Sequence, residues 1–350
     1  MIKNEYGSDF NYIEFEEKGL KIELPKNAKY FGCGRYAINY LISHYFDLGL
    51  WENIYMPEYF CYEVIESIKK TGINVKYYSD YPLANDNEVI SNLLFEKGDV
   101  LFRMNYFGIR DFRDNSEINI PVIEDHSHNL FSNWSINSNA DWCVGSLRKS
   151  LPIPDGGILW SPNEDHELAP IVLTDEHKLL SETRFKAMLM KKAYLENDFD
   201  EDKNEFLGKF KETEVSFANN QISGISDISK QIIQEVPKDL DSFKKRNHDY
   251  IKSLLNMTNI EIVNSIENPF SLVLLFKSKE NRDSLRGFLI QNDTYPAILW
   301  VVEKSNAQNE IIEFSERMLS IHIDFRYTTN DMIKMSKIIN KGIENLGYGV

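Results

Sequence analysis

The stretch SLRKSLPIPDGGILW, from Ser146 to Trp160, sets two basic residues, Arg148 and Lys149, before an apolar run that holds two prolines and ends in a glycine pair. Because proline fixes the backbone angle φ at about −65°, this loop is expected to be stiff. A lysine that a rigid loop holds near a cofactor can form a Schiff base, provided that its pKa is low enough to leave free amine. A basic pair on a loop is also typical of a solvated surface. The neighbouring motifs therefore have to show whether Lys149 is a Schiff-base lysine or a solvated charge.

The composition indicates a folded protein that does not bind nucleic acid. The chain has 350 residues, of which 42% are hydrophobic, and a formal net charge of −15. That length predicts two domains, or one large domain with a smaller one appended, and the hydrophobic content supports a sizeable core. A nucleic-acid partner would need a stripe of lysine and arginine to neutralise its phosphates, and this acidic chain offers none.

Cysteine usage and hydropathy predict a cytoplasmic protein with no structural metal. The three cysteines, Cys33, Cys61 and Cys143, are an odd number and lie far apart. This spacing argues against a disulfide framework and against a thiolate zinc site. The first residues, MIKNEYGSDF, lack the apolar segment of a signal peptide. No run of uncharged apolar residues is long enough to predict a membrane span.

Short apolar runs alternate with helix-like segments from about residue 30 to 160. The predicted strands are NIYMP, INVKYYS, DVLFRMNYFG, IPVIEDHSH, DWCVGSL and GGILWS. The alternation predicts an α/β fold with a mainly parallel central sheet flanked by helices. Ligands bind such sheets at the carboxyl ends of the strands, where Asn105, Asp125 and Ser146 follow apolar runs.

The second half of the chain has a different pattern. Charged helical segments dominate from about 175 to 256, and strands and helices then mix to the end. We predict a large α/β domain over residues 1–240, in which residues 1–29 form an N-terminal arm. A smaller α+β C-terminal domain is predicted over residues 241–350.

Two further motifs accompany the lysine loop. FGCGRYAINYL is a glycine-rich turn that opens a helix, and the free N–H groups of a helix N-terminus favour a phosphate. The same pattern is common in plain tight turns. VIEDHSHN ends a strand in a carboxylate, which can pair with a protonated ring nitrogen or cap a helix.

Taken in order, these motifs resemble the DegT/DnrJ/StrS family of sugar aminotransferases, fold type I enzymes that depend on pyridoxal 5′-phosphate (PLP). GCGRYAINYL, IYMPEYFCYEVIESI, VLFRMNYFG, VIEDHSHNLF and GSLRKSLPIPDGG follow the order of the family, and the resemblance covers roughly residues 30–345. It implies the PLP-dependent transferase fold type I and a homodimer with its active site at the interface. It also implies amino transfer, with glutamate as the common donor, to a nucleotide-linked keto sugar for surface polysaccharide or antigen biosynthesis.

The resemblance implies roles for residues around the cofactor ring. Lys149 aligns with the Schiff-base lysine, because it precedes Gly156 and Gly157 by the spacing of the family. Asp125 matches the aspartate that pairs with the pyridine nitrogen. His128 stands where the family has a glutamine beside the phenolic oxygen of the ring.

Other residues are expected at the phosphate of the cofactor. Gly34 and Arg35 match the phosphate-binding turn, and Ser146 matches a serine whose hydroxyl reaches the phosphate. Asn219 matches an asparagine that comes from the neighbouring subunit in dimers of the family. The arginine that follows in the family is Gln221 here.

Two departures from the family lie near the expected cofactor. The aromatic residue that stacks on the pyridine ring falls at Cys61, so a small apolar residue packs there or Tyr59 or Phe60 supplies a ring. Asn105 replaces a histidine at a strand end. Because of these changes, two alternatives stay open. One is a family member that binds PLP or a sugar without turnover, and the other is an enzyme that carries out another PLP reaction on a sugar.

The expected substrate contacts come from variable loops, and His126 is expected in a polar turn. The candidates near the substrate are Arg103, Asn105, Arg110, His322, Asp324 and Arg326.

Overall fold

The structure, a computed structural model, describes residues 5–15, 19–163, 168–197, 202–219, 221–258, 260–263, 269–302 and 307–346. Its largest sheet consists of β2 (Lys29–Phe31), β3 (Asn53–Pro57), β4 (Asn74–Tyr78), β5 (Asp99–Met104), β6 (Val122–Asp125), β7 (Trp142–Ser146) and β8 (Gly157–Trp160). These strands lie in the order β2-β8-β7-β6-β5-β3-β4.

The sheet is mainly parallel, as predicted. Strands β3 to β7 pair in parallel, whereas β8 and β2 join antiparallel at one edge. Every residue of β5 and β6 is buried, which is typical of a parallel sheet with helices on both faces. The register pairs Met104 with Asp125 and Asp125 with Val144, so the carboxyl ends of β5, β6 and β7 meet at one edge.

Seven helices of the described chain belong to this half of the molecule. They are α1 (Gly34–Asp47), α2 (Tyr62–Lys69), α3 (Asp86–Ser91), α4 (Asn133–Ile136), α5 (Asp175–Leu195), α6 (Lys203–Asn219) and α7 (Asp227–Glu235). Helix α1 buries Ile38, Leu41 and Ile42, whose spacing places them on one face against the sheet. The side chains of Thr174 and Ser226 cap α5 and α7 by accepting backbone N–H bonds.

The C-terminal part has the predicted α+β character. A three-stranded antiparallel sheet contains β9 (Ile260–Val263), β10 (Leu272–Phe276) and β12 (Met318–Ile321), in the order β12-β10-β9. Its helices are α8 (Ser242–Leu254), α9 (Lys279–Gln291), α10 (Asn309–Arg317) and α11 (Thr329–Leu346).

A two-stranded parallel sheet ties the N-terminal segment to this part. Strand β1 (Tyr6–Gly7) pairs with β11 (Thr294–Tyr295), and the Tyr6 and Tyr327 ring centroids lie 5.6 Å apart. The sequence pattern predicts neither strand, because each is only two residues long. The domain boundary at residue 240 stays a prediction.

The run ENDFDEDKNE over residues 196–205 has the charged composition that predicts a solvated turn or helix end, and its residues 198–201 lie outside the described residues. No helix in the described parts of the chain combines the length and the apolar character that crossing a membrane requires.

Candidate active site

The loop that follows β7 carries Lys149. Residues Leu147–Lys149 form a short 3-10 turn, and the Leu147 N–H donates to the Gly156 carbonyl oxygen at 3.1 Å, which folds the loop back on itself. A Cβ atom at Gly157 would lie 2.2 Å from the Cys33 carbonyl oxygen and 2.5 Å from the Gly34 nitrogen. The glycine therefore lets this loop lie directly against the first turn of α1.

Asp125 ends β6, the strand next to the lysine loop. Its Oδ1 accepts the Ser127 N–H at 2.7 Å, and Ser127 Oγ accepts the Ser146 N–H at 2.9 Å. The helix-capping alternative for Asp125 is wrong, because the next helix, α4, begins at Asn133 and is capped by Ser132. The turn instead fixes the carboxylate at the strand end, beside the Lys149 loop.

The Lys149 amine is surrounded by rings. Its Nζ lies 3.1 Å from His128 Nε2 and 5.2 Å from the centroid of the Trp300 ring. Burial lowers the pKa of Lys149 below its ordinary value, and the charge of Asp125 opposes that effect in part. The free-amine fraction near neutral pH is therefore larger than for a solvated lysine.

His128 is held neutral within an aromatic stack. Its fully buried imidazole lies nearly parallel to the rings of Phe107, Phe270 and Trp300, at centroid distances of 4.8, 4.6 and 5.1 Å. Burial, and then the positive charges of Lys149 and Lys244, lower the pKa of His128 well below its ordinary value. A neutral ring accepts at Nε2 when Lys149 is protonated, and its Nδ1 has no partner among the described residues.

Six of the predicted site residues line one cavity of about 840 Å³. They are Gly34, Arg35, Cys61, Asp125, Ser146 and Lys149. The seventh, His128, lines an adjoining cavity of about 290 Å³, which Ser146 and Lys149 also border. The side chain of the eighth, Asn219, lies outside the part that the structure describes, although α6 borders the larger cavity through Glu214 and Phe217.

One end of the larger cavity is rich in arginine. Arg148 donates from Nη1 and Nη2 to the Glu214 carboxylate at 3.1 and 3.3 Å, and its guanidinium lies 4.4 Å from the centroid of the Phe217 ring. Arg184 on α5 pairs with Asp9 at 2.5 Å. Arg148 first, and then Arg184 and Arg35, lower the pKa of Glu214 to about 2, so this carboxylate is ionised at neutral pH.

Sequence reasoning missed most of this arginine cluster. Arg148 is visible beside Lys149, but Arg184 and Glu214 belong to two charged helices, α5 and α6, that pack against each other. Their sequences are charged on several faces, so the pattern does not show which side chains turn toward the cavity.

The aromatic side chains near Cys61 differ in whether they border the larger cavity. Cys61 borders the cavity, and its Sγ donates to Glu63 Oε2 at 3.1 Å; burial raises the pKa of this thiol to about 11. Tyr59 is fully buried and donates its hydroxyl to the Leu299 carbonyl, so it does not supply a ring to the cavity. Phe60 and Trp300 do border the cavity, and no sequence pattern points to Trp300 as a site residue.

Three expected substrate contacts are instead part of a buried polar network. Arg103 donates to Asp86 at 2.6 Å, and Arg110 forms a two-point ion pair with Asp80 at 3.0 and 2.5 Å. Asn105 Nδ2 lies 3.2 Å from the Nδ1 atom of the His126 ring. None of these three residues lines either cavity. The other candidates, His322, Asp324 and Arg326, do line the smaller cavity beside Lys149.

His126 opens a polar turn, as expected, because its carbonyl oxygen accepts the Asn129 N–H at 2.9 Å, and its ring belongs to the same buried network. It is fully buried, and its Nε2 lies 3.1 Å from Glu124 Oε2. Ligand atoms of Glu124, His126 and Cys143 lie within 4.8 Å of one another. Ser138 donates to Glu124 at 2.6 Å, and burial raises the pKa of the Cys143 thiol well above its ordinary value. The Cys143 thiol, which donates to Ser138 Oγ at 3.3 Å, is thereby part of this hydrogen-bonded core.

No family model matches the chain, and no curated protein is significantly similar in sequence. Solved structures do match. Spr1654 from Streptococcus pneumoniae, assigned as a sugar aminotransferase and solved in its PLP form, aligns with a TM-score of 0.65 and 12% identity, over 98% of this chain and 100% of that one. DesI, solved in the presence of its TDP-sugar product, aligns with a TM-score of 0.62 and 12% identity, over 91% of this chain and 82% of that one.

NtdA from Bacillus subtilis, solved with its bound cofactor PMP, aligns with a TM-score of 0.59 and 12% identity, over 91% of this chain and 73% of that one. Structural matches at 12% identity show the fold alone. At the level of the fold, the expected resemblance to the DegT/DnrJ/StrS family is confirmed. The chain has the fold of the solved sugar aminotransferases.

Proposed function

We propose that the protein is a PLP-dependent aminotransferase that moves an amino group from an amino acid, glutamate in the first instance, to a keto sugar. The observation that carries this proposal is the placement of Lys149 and Asp125 on one cavity at the carboxyl edge of the sheet. The lysine offers an amine whose pKa burial lowers, and the aspartate offers a carboxylate fixed by the Ser127 N–H. This pair, beside a cavity rich in arginine, fits an aldehyde that carries a basic ring nitrogen and a phosphate.

The proposed cofactor contacts use groups that border the larger cavity, together with His128 of the adjoining cavity. Lys149 would hold PLP covalently, since its amine condenses with the aldehyde and releases one water. Asp125 would accept a hydrogen bond from the protonated ring nitrogen. Backbone N–H groups at Gly34 and Arg35, with the Ser146 hydroxyl, would face the phosphate. Cys61 would pack beside the ring, and His128 would donate from its imidazole to the phenolic oxygen.

The bound cofactor supplies an electron sink that stabilises negative charge at the α-carbon of the amino donor. The remaining work falls to side chains of this chain. Once free of the cofactor, Lys149 Nζ takes the α-proton of the donor and delivers it again, as general base and then acid. Neutral His128, 3.1 Å away, orients that amine. His322, Asp324 and Arg326 line the space beside it and would contact the substrate.

We extend the proposal to a nucleotide-linked keto sugar, to surface polysaccharide biosynthesis and to a cytoplasmic homodimer. DesI, which shares the fold, was solved with a TDP-sugar, and this supports the sugar class. All three cysteines are free, which supports a reducing compartment. The homodimer, with its active site at the interface, is proposed from the family resemblance.

Covalent trapping tests the function. The protein is incubated with PLP, reduced with borohydride and digested, and mass spectrometry locates the attached cofactor. We expect it on Lys149, and we expect Lys149→Ala to abolish it. Lys211→Ala, at an exposed lysine of the same cavity, is the matched control and keeps the attachment. Attachment that survives in Lys149→Ala contradicts the assignment.

A second measurement separates an enzyme from a binder. Glutamate added to the PLP-loaded protein should change the near-ultraviolet and visible absorbance and release a keto acid. A protein that traps PLP on Lys149 but does not respond to any amino donor would be the non-catalytic alternative.

A further inference from the structure

The arginine cluster of the larger cavity has more hydrogen-bonding capacity than the chain uses. Nε and Nη1 of Arg35 and Nε of Arg148 are buried and have no partner among the described residues. A buried guanidinium N–H without an acceptor is costly, so its presence at a cavity points to an acceptor that arrives with a ligand. Both side chains line the same cavity as Gly34 and Ser146.

The charges that line the larger cavity favour an anion. Arg35, Arg148, Arg184, Lys149 and Lys211 all line the cavity. Their carboxylate neighbours there are fewer, namely Asp9, Glu63, Asp125 and Glu214. A local excess of positive charge in a chain of net charge −15 is a feature of this site and not of the surface as a whole.

The carboxylate on Arg148 can be displaced. The Glu214 side chain is 55% exposed, whereas the Arg148 side chain is 15% exposed. Water can solvate the released carboxylate, and an arriving phosphate replaces it on the guanidinium, so the exchange leaves neither charge without a partner. The Phe217 ring holds the guanidinium from the side and does not depend on Glu214.

We propose that Arg35 and Arg148 of this chain bind the phosphate of the cofactor, and that Glu214 is a built-in competitor that occupies Arg148 until the phosphate displaces it. The inference rests on the proposed PLP function and adds the source of the charge that neutralises the phosphate. Arginine suits this role because its planar guanidinium can donate two parallel hydrogen bonds to phosphate oxygens. A chain with Gln221 where the family has an arginine then carries the cations within its own cavity wall.

The test compares PLP with pyridoxal, which has the same ring and aldehyde but no phosphate. Equilibrium titrations give the dissociation constant of each for the wild type, Arg35→Gln, Arg148→Gln and Glu214→Gln. We expect each arginine variant to weaken PLP binding about ten- to a hundredfold and to leave pyridoxal binding unchanged. We expect Glu214→Gln to tighten PLP binding about fivefold, since it removes a charge that repels the phosphate. A gain of affinity cannot arise from misfolding.

Two control variants match the tested residues. Arg113→Gln removes a half-buried arginine that pairs with Asp86 at 2.9 Å away from the cavity, and Glu212→Gln changes an exposed glutamate of α6. Neither should alter the ratio of the two affinities. Equal weakening of PLP and pyridoxal by the arginine variants, or weaker PLP binding by Glu214→Gln, would overturn the proposal.

Failure of the underlying function would look different. Calorimetry with inorganic phosphate on Lys149→Ala measures the anion site without any covalent attachment. Suppose that inorganic phosphate binds, that Arg148→Gln abolishes this binding, and that the wild type never traps PLP. The proposed anion site would then stand, and the proposed aminotransferase function would fail. If PLP is trapped on Lys149 but its affinity is the same in both arginine variants as in the wild type, the proposed function stands and the proposed phosphate contacts fail.

Discussion

Lys149 Nζ lies 3.1 Å from His128 Nε2. Since burial keeps the imidazole neutral, the ring stabilises the lysine ammonium by accepting its hydrogen bond. His128→Phe keeps an aromatic ring in the stack with Phe107 and Phe270 but removes that acceptor. We expect the pKa of Lys149 to fall further, so the pH at which the rate of PLP attachment is half-maximal should move downward. Stopped-flow absorbance over a pH series measures this midpoint.

The direction of the shift is informative. If the imidazole were instead protonated, its charge would repel the ammonium, and the same substitution would raise the midpoint. His44→Phe, near the far end of α1, is the control and should leave the pH profile unchanged. An upward shift or no shift in His128→Phe would contradict the neutral, hydrogen-bonded ring.

Asp125→Asn tests the carboxylate at the end of β6. The amide oxygen still accepts the Ser127 N–H, so the turn should remain intact while the charge disappears. Without that charge the ring nitrogen is not held protonated, and we expect kcat to fall about a hundredfold or more. Trapping on Lys149 should persist. Steady-state kinetics and borohydride trapping on the same preparation separate the two effects.

The control for Asp125→Asn is Asp141→Asn. Asp141 accepts the Val122 N–H at 2.7 Å where β6 begins, at the opposite edge of the sheet from the site. The Asp141→Asn variant should keep the wild-type kcat. Full activity of Asp125→Asn would remove this residue from the mechanism.

The sequence was sufficient for the side chains that local patterns position. Asp125 and Ser146 end apolar strands, and Gly157 permits a close approach that a Cβ atom would block. Lys149 lies at a fixed distance from that glycine pair, so its place follows from the loop. These features depend on neighbours within a few residues and are therefore readable without the fold.

Other features depend on contacts between distant segments. Arg110 was expected near the substrate, because its acceptor, Asp80, lies 30 residues away in sequence and gives no local sign of pairing. Trp300 reaches the lysine only because a C-terminal loop folds over the carboxyl edge of the sheet. Arg184 and Glu214 meet only when α5 and α6 pack. Tertiary packing decides such positions, and a single sequence does not encode it in a readable pattern.

Gly157→Ala tests the contact between the lysine loop and α1. Its added Cβ would meet the Cys33 carbonyl oxygen at 2.2 Å, a distance that requires the backbone to move. The two backbone segments in contact are the loop that carries Lys149 and the turn before α1 that is proposed to bind the phosphate. We therefore expect the dissociation constant for PLP to rise at least tenfold, which corresponds to about 1.4 kcal/mol. Thermal unfolding with and without PLP measures stability and binding together.

Gly208→Ala is a matched control within α6. Outside its own helix, no atom of the described residues lies within 4 Å of the Cβ it would add, and alanine is favoured over glycine inside a helix by about 0.5–1 kcal/mol. It should raise the melting temperature slightly and leave PLP binding unchanged. Wild-type binding by Gly157→Ala would show that the loop has more freedom than the close approach indicates.

Asp86→Asn tests the buried ion pairs behind the site. Burial raises the pKa of Asp86, but the charges of Arg110, Arg103 and Arg113 outweigh it and lower the pKa to about 2. Removing one partner leaves buried guanidinium groups uncompensated, so we expect a loss of about 3–5 kcal/mol in the free energy of unfolding at neutral pH. Urea unfolding of both proteins measures it.

The pH dependence of that loss follows from the sign of the shift. An aspartate in the unfolded chain has a pKa of about 3.9, so the stabilisation by Asp86 is complete above that value and declines as the pH falls toward 2. The difference between wild type and Asp86→Asn should therefore be constant from pH 7 to about 5 and shrink below about 4. Asp47→Asn, at an exposed position where α1 ends, is the control and should follow the wild type throughout. A difference that grows on acidification would mean that Asp86 is protonated in the folded protein, and the ion-pair assignment would fail.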